Sequence, residues 1–139
     1  MYAVSSEPGY LKESQSAAER AQRIAPWDQD AVKEMLNTVK PDGIVCANDF
    51  TAANLMKTLG ALGIRVPDEI RLAGIDDVKY ASLLPVPLTT IHQPCEKMGA
   101  AAVAAMVQRI RNPDLPARDI LLDFHLVVRE STAGNGQSR

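Results

Sequence analysis

The residues of this chain best suited to chemistry fall in four places: Trp27, Asn48 with Asp49, Asp76 with Asp77, and Gln93. An aromatic plate, amides and carboxylates are the set that holds a neutral, hydroxyl-bearing small molecule, because the plate stacks while the polar groups form paired hydrogen bonds. Each of the four follows a short apolar run. In an open parallel sheet the ligand crevice lies outside the carboxyl ends of the strands, where loops diverge and helix N-termini point. If those runs are strands of one sheet, the four places share one rim. Local roles are open to the same residues: Asp28, Asn48 and Asp49 are good helix N-caps, Asp76-Asp77 are turn formers, and Trp27, the sole tryptophan, can serve as a partly buried packing residue.

Catalytic readings find less support. The chain has no Gly-x-Ser-x-Gly elbow, no phosphate loop ending in Gly-Lys-Ser/Thr and no His-Glu-x-x-His, the motifs that place a nucleophile, a phosphate cradle or a zinc pair. His92 and His125 lie in or beside apolar runs and read as structural. Asp49 and Asp76 could form a carboxylate pair for metal binding or acid–base work, but no third ligand accompanies them. Cys46 sits inside an apolar run, where a thiol is inert. No catalytic residue, metal site or cofactor is therefore expected, and the chain is expected not to be an enzyme.

The elements that must position these residues follow a β-α rhythm, which marks a parallel sheet. Ala21 to Ala25 reads as the first strand. A helix from about Asp28 carries Ala31, Val32, Met35, Leu36 and Val39 at three- and four-residue intervals, the spacing of one buried helical face. Gly43 to Ala47 is the second strand, and Asn48 or Asp49 caps a helix with a stripe of Ala52, Leu55, Met56, Leu59 and Leu62 that Gly63 is suited to end. Ile70 to Ile75 is the third strand and Leu88 to His92 the fourth. Gln93-Pro94 opens the last long helix, since proline at the first helical position loses no helical hydrogen bond. Its Met98, Ala101, Ala102, Ala105 and Met106 make a small-residue face suited to close packing, and Asn112-Pro113 ends it. Two short runs, Ile120 to Phe124 and Leu126 to Arg129, complete the fold. The first twenty residues are left unassigned apart from turn chemistry at Ser5 to Gly9, and residues 133–139 are expected to be a disordered tail.

Composition sets the outer limits. The chain has 139 residues, 46% hydrophobic and 23% charged, within the ordinary globular range and long enough for one domain with a real core. Fifteen basic against seventeen acidic residues give a net charge of −2, which lacks the basic footprint of a nucleic-acid binder. Cys46 and Cys95 have no metal-type spacing and no reason to pair, so a reducing, cytoplasmic setting is expected. No apolar run approaches the ~18 residues of a membrane span, and no export signal is evident at the start.

Five motifs in order carry a resemblance: Pro41-Asp42-Gly43-Ile44-Val45-Cys46-Ala47-Asn48-Asp49, Leu62-Gly63-Ile64-Arg65-Val66-Pro67-Asp68-Glu69-Ile70, Ala73-Gly74-Ile75-Asp76-Asp77, Pro87-Leu88-Thr89-Thr90-Ile91-His92-Gln93-Pro94, and Leu126-Val127-Val128-Arg129-Glu130-Ser131-Thr132. Together they resemble the C-terminal half of a lactose-repressor (LacI/GalR) family transcription regulator. The resemblance runs from about Ala21 to Thr132. It implies an α/β, parallel-sheet, three-layer lobe of a periplasmic-binding-protein-like (type I) fold, with residues 1–20 a remnant of the preceding segment. By the same likeness the chain is a fragment without the helix-turn-helix and nearly all of the N-terminal lobe.

The resemblance further implies a small-molecule effector, a sugar or nucleobase, held by Trp27 as the stacking aromatic, Asn48 as the amide, and Asp76 as the carboxylate, with Gln93 near the pocket. A further aromatic position of the family falls on Cys95. A homodimer is implied through the helix after Asn48 and the segment from Tyr80 to Leu84, with Ala53, Met56, Tyr80 and Leu84 as contacts, although apolar residues there can equally be intramolecular core. Operator DNA would be reached only through the missing N-terminal domain, and no membrane partner is implied. A periplasmic sugar-binding protein of a transporter is the alternative reading of the same fold.

Overall fold

The segment from Gly43 to Ile75 shows how this sequence makes its fold. Strand Gly43–Cys46 alternates half-buried and buried residues, the period of a strand with one face on the core. Asn48 then leaves the extended conformation with its side-chain oxygen accepting from the Thr51 amide, which starts the helix Asp49–Ala61. Gly63, at φ +76°, ends that helix in the left-handed region that glycine enters without steric cost. The chain returns as the strand Arg71–Asp76, parallel to the first.

The computed structural model describes residues 2–4 and 24–133. In chain order the elements are β1 (Tyr2–Val4), α1 (Gln29–Val39), β2 (Gly43–Cys46), α2 (Asp49–Ala61), β3 (Arg71–Asp76), a 3-10 turn at Lys79–Ser82, β4 (Thr89–His92), α3 (Cys95–Arg111), β5 (His125–Val127) and α4 (Glu130–Ala133). The five strands form one sheet in the order β1-β2-β3-β4-β5. β1 to β4 are parallel, and β5 returns antiparallel on the edge with His92 opposite His125.

One face of the sheet carries the core, where Ile44, Cys46 and Leu72 meet Ala52, Leu55, Met56 and Leu59 of α2 and Val32 and Met35 of α1. α4 is fastened to the sheet by Ser131, whose hydroxyl donates to the Leu72 carbonyl at 2.6 Å and accepts from the Thr89 amide at 2.8 Å. α1 begins as its sequence predicts, with Asp28 accepting from the Asp30 and Ala31 amides, both at 3.1 Å.

Four features depart from the sequence reading. The sheet opens with Tyr2–Val4, whereas Ile24 and Ala25 of the expected first strand are not in a strand and residues 21–23 lie outside the described residues. The unassigned first twenty residues also lie outside them, apart from β1. Of the two final runs only His125–Val127 is a strand, because β4 offers just one further edge to pair with. Pro94 is the N-cap of α3 rather than its first helical residue. At the other end Ala133, placed in the expected tail, closes α4, while residues 134–139 lie outside the described residues.

α3 is the outlier of the fold. None of its seventeen residues is buried, and of its small-residue face only Ala101 and Ala105 are half-buried. Met106, Ile110 and, in the strandless stretch after it, Leu121 and Phe124 are exposed as well. The chain leaves the sheet after His92 and re-enters it at His125.

Candidate ligand-binding site

The carboxyl ends of β2, β3 and β4 stand side by side. Val45 pairs with Ala73, and continuing that register along both strands brings Asn48 level with Asp76. Asp76 pairs in turn with His92, the residue before Gln93. The strand-end logic thus puts Asn48, Asp76 and Gln93 on one rim, and the side chains of two of them meet: the Gln93 Nε2 donates to Asp76 Oδ1 at 2.8 Å. All three are half-buried. Asn48 spends its oxygen on the Thr51 amide as an N-cap, which orients it without using its NH₂ group.

The backbone at Asp76 is unusual. Asp76 and Asp77 have φ of +120° and +57°, a region where a non-glycine residue costs about 1–3 kcal/mol unless its surroundings hold it there. Those surroundings are a buried polar cluster. Asp49, fully buried at the start of α2, accepts from the Val78 amide at 3.0 Å and from the Thr90 hydroxyl at 2.6 Å. The Thr90 oxygen accepts from the Asp77 amide at 3.3 Å. Gly74 lies under this carboxylate, and a Cβ there would come within 2.2 Å of Asp49 Oδ1.

A second network closes the rim on the β5 side. Asp77 accepts from the Arg129 guanidinium at 2.6 Å and pairs with His92 Nδ1 at 2.9 Å. Arg129 also donates to the Leu88 carbonyl at 2.8 Å, and the His92 ring packs on His125 with centroids 4.7 Å apart. Both histidines, structural by their sequence context, and Arg129 thus belong to the rim's surroundings. The local sequence around Arg129 is an apolar run ending in Arg129-Glu130, and its partner Asp77 lies in another motif.

Electrostatics separate the neighbouring carboxyls. Burial and then the charge of Asp49 push the Asp76 carboxyl above the ordinary carboxylate range. Burial acts upward on Asp77 too, but hydrogen bonds from Arg129 and His92 and their charges outweigh it and hold Asp77 below that range. Tyr80 feels the same centre: burial, Asp49 and then Asp76 raise its phenol. The rim thus offers a hydrogen-bond acceptor on a strained turn, an amide beside it, and a second amide one strand away, a set that grips hydroxyls or ring nitrogens.

Trp27 is placed elsewhere. The preceding Pro26 carbonyl accepts from the Thr58 hydroxyl at 2.6 Å, and Thr58 lies ten residues beyond Asn48 along α2, which at the helical rise is about 15 Å. The side chain is exposed at 59%, and its segment is fastened to the later turns of α2 rather than to the turn at Asp76. Ile24 and Ala25, the described residues of the run before Trp27, are not in a strand, so strand-end logic does not place this side chain.

Of the expected dimer contacts, Met56 is buried in the chain's own core, so intramolecular packing accounts for it. Ala53 is half-buried, Leu84 is half-buried against the same core, and Tyr80 is exposed together with Phe50 and Leu83. Among the described residues no group of three His, Cys, Asp or Glu could hold a metal ion. Two cavities lie away from the rim. One of about 440 Å³ runs between α3 and residues 115–120, and one of about 300 Å³ lies over Gly43, Val45 and Ala73 beside Thr132. Chemistry rather than concavity singles out the rim.

A domain model described as the periplasmic binding protein-like domain matches residues 3–132. The chain belongs to that family. Its likeness is to LacI/GalR-type regulators, in the region of their effector-binding domain. It is 34% identical over 119 residues to the HTH-type transcriptional repressor PurR of Vibrio vulnificus, covering 86% of this chain and 33% of the relative. Among solved structures, a transcriptional regulator CelR–cellobiose complex superposes with a TM-score of 0.70 at 28% identity, over 86% of this chain and 37% of that one. A lac repressor dimer bound to operator and the anti-inducer ONPF gives 0.68 at 29% identity, over 82% and 40%. The chain spans about a third of the length of the curated relatives it matches. The periplasmic-binding-protein-like α/β fold expected from the sequence is thus the fold observed, with a sheet parallel except for β5.

Proposed function

We propose that this chain is the effector-sensing and dimerisation lobe of a LacI/GalR-type transcriptional regulator, and that its effector contacts are Asn48, Asp76 and Gln93. The observation that carries the reading is the hydrogen bond from Gln93 to Asp76 at the carboxyl ends of adjacent strands, in a chain whose relatives are transcription repressors. Those relatives support a regulator over the transporter alternative. The effector is a sugar or a nucleobase, which the rim meets with acceptors and amides rather than with Trp27. An effector acts by binding one arrangement of two lobes better than another, and only that difference in affinity can alter DNA binding. The exposed apolar face of α3 supports a working form in which this lobe packs against a further body and the rim becomes one wall of a closed cleft. Operator contact is assigned to a DNA-binding domain that this lobe does not supply, in keeping with its net charge of −2. The working location is cytoplasmic, and no helix of the described residues is long and apolar enough to cross a membrane. The dimer contacts are Tyr80, Ala53 and Leu84 with exposed Phe50 and Leu83.

The test is a titration of the ¹⁵N-labelled chain with sugars (ribose, cellobiose) and nucleobases (adenine, hypoxanthine) followed by amide shifts. Saturable shifts at Asn48, Asp76 and Gln93 that disappear in Asp76→Ala support the reading; shifts confined to other surfaces would count against it.

A further inference from the structure

Three of the five motifs in this sequence converge on one buried group that the effector reading does not use. Asp49 belongs to the first, Gly74, Asp76 and Asp77 to the third, and Thr90 to the fourth. The Asp49 carboxylate has no exposed surface, and it rests on Gly74, where a side chain would collide with Oδ1 at 2.2 Å. Its two oxygens are divided between elements: Oδ1 accepts from the Thr90 hydroxyl of β4 and Oδ2 from the Val78 amide. Because the Thr90 proton is committed to Asp49, the lone pairs of that hydroxyl face the other way, and one accepts from the Asp77 amide. The two amides that follow Asp76 are therefore both anchored to one carboxylate, one directly and one through a single hydroxyl.

We propose that Asp49 and Thr90 act as a positioning pair for Asp76, holding the left-handed turn at Asp76 and Asp77 so that the Asp76 carboxylate points to Gln93 and to a bound ligand. The role rests on the effector reading for its purpose, but the geometry can be tested without a ligand. Two positive-φ residues in succession persist only where the surroundings over-determine them, and the Asp49–Thr90 pair supplies contacts to both amides on the far side of the turn. An N-cap role does not explain Asp49: the cap of α2 is Asn48. The charge of Asp49 also acts on the Asp76 carboxyl, raising its pKa after the larger effect of burial.

The experiment compares the full chain with Thr90→Val, Thr90→Ser and Asp49→Asn by amide exchange and by carbon-detected titration of the Asp76 carboxyl. In the parent, the Val78 amide and the Thr90 hydroxyl proton should exchange slowly; finding both in fast exchange overturns the proposal. Thr90→Val should speed exchange at Asp77 and Val78 by tenfold or more and displace the Gln93 side-chain amide signals, while Thr90→Ser, which keeps the hydroxyl, should retain the parent pattern. Asp49→Asn should lower the Asp76 titration midpoint, while the rescue by Thr90→Ser separates positioning from general loosening. A folded Thr90→Val with parent exchange rates and an unchanged Asp76 titration overturns the proposal, as does a Thr90→Ser variant that loses as much as Thr90→Val. If these results hold and no sugar or nucleobase binds, the effector reading fails while the turn assignment stands.

Discussion

Arg129 and Asp77 are 52 residues apart in the chain, yet the guanidinium lies 2.6 Å from the carboxylate with both side chains largely withdrawn from solvent. This pair ties the end of β3 to the segment that leads into α4, and through Leu88 it also holds the start of β4. Removing Arg129 leaves the partly buried Asp77 carboxylate with His92 as its one side-chain partner, and breaking a withdrawn pair is costlier than the pair is favourable. Arg129→Met should lower stability by about 2–3 kcal/mol, the range for a lost hydrogen bond to a charged group that is left desolvated. Urea unfolding of the two chains checks this, and a change within error would show that solvent replaces the guanidinium without loss.

The same pair gives the protein an acid limit. Asp77 titrates below its ordinary range in the folded chain, so in the acid region the unfolded chain binds more protons and stability rises with pH. The contribution is complete above the unfolded carboxylate pKa of about 3.9 and is lost as pH falls through the lower folded value. Stability measured from pH 6 down to pH 2 should decline, and Arg129→Met should make that decline shallower. Parallel pH profiles would contradict the assignment.

The two cysteines should behave as opposites. Burial, and then the charge of Asp49, push the Cys46 thiol up to about 12, and only the thiolate is nucleophilic. Cys95 is exposed at the start of α3. Iodoacetamide at pH 8 should add one label rapidly, mapped by peptide mass spectrometry to Cys95, with Cys46 labelled only on unfolding. Rapid double labelling of the folded chain would refute the burial of β2 on which the rim depends.

Gly74→Ala places a methyl against Asp49 Oδ1 and within 3.2 Å of Asp49 Cα and 3.1 Å of Leu88 Cδ2. Backbone atoms cannot yield as a flexible side chain can, so the substitution should cost about 2–3 kcal/mol through overpacking. Gly60→Ala has open space around it and sits in a helix, where it should be neutral or stabilising by up to about 1 kcal/mol. Thermal unfolding of the two variants separates close approach from helix propensity; equal midpoints would argue against the tight seat of Asp49.

Much of this architecture is legible in the sequence because its signals are local. The Asp28 cap, the apolar stripe of α2 and its glycine stop, and the strands ending at Asn48, Asp76 and Gln93 each lie within a dozen residues, where hydrophobic period and capping chemistry act. β1 escaped notice because three residues beside a turn-forming stretch have no period of their own; what makes Tyr2–Val4 a strand is its pairing with Ile44, Val45 and Cys46. Strand-end logic does not reach Trp27, because Ile24 and Ala25 before it are not in a strand. The Asp77–Arg129 pair and the Asp49–Thr90 contact join residues 52 and 41 positions apart, and no local pattern announces such partners. The expected close packing of α3 is not seen among the described residues, where none of its residues is buried.

The central claim is that the Asn48–Asp76–Gln93 rim, and not Trp27 or either cavity, takes the small molecule. The most direct measurement is the amide-shift titration of parent and Asp76→Ala chains with the sugar and nucleobase panel carried to millimolar concentration. The account predicts saturable shifts at Asn48, Asp76 and Gln93 for at least one compound, loss of that response in Asp76→Ala, and a stationary Trp27 indole signal throughout. Binding that survives Asp76→Ala, or that moves Trp27 or the Arg109–Arg118 cavity instead of the rim, would contradict it.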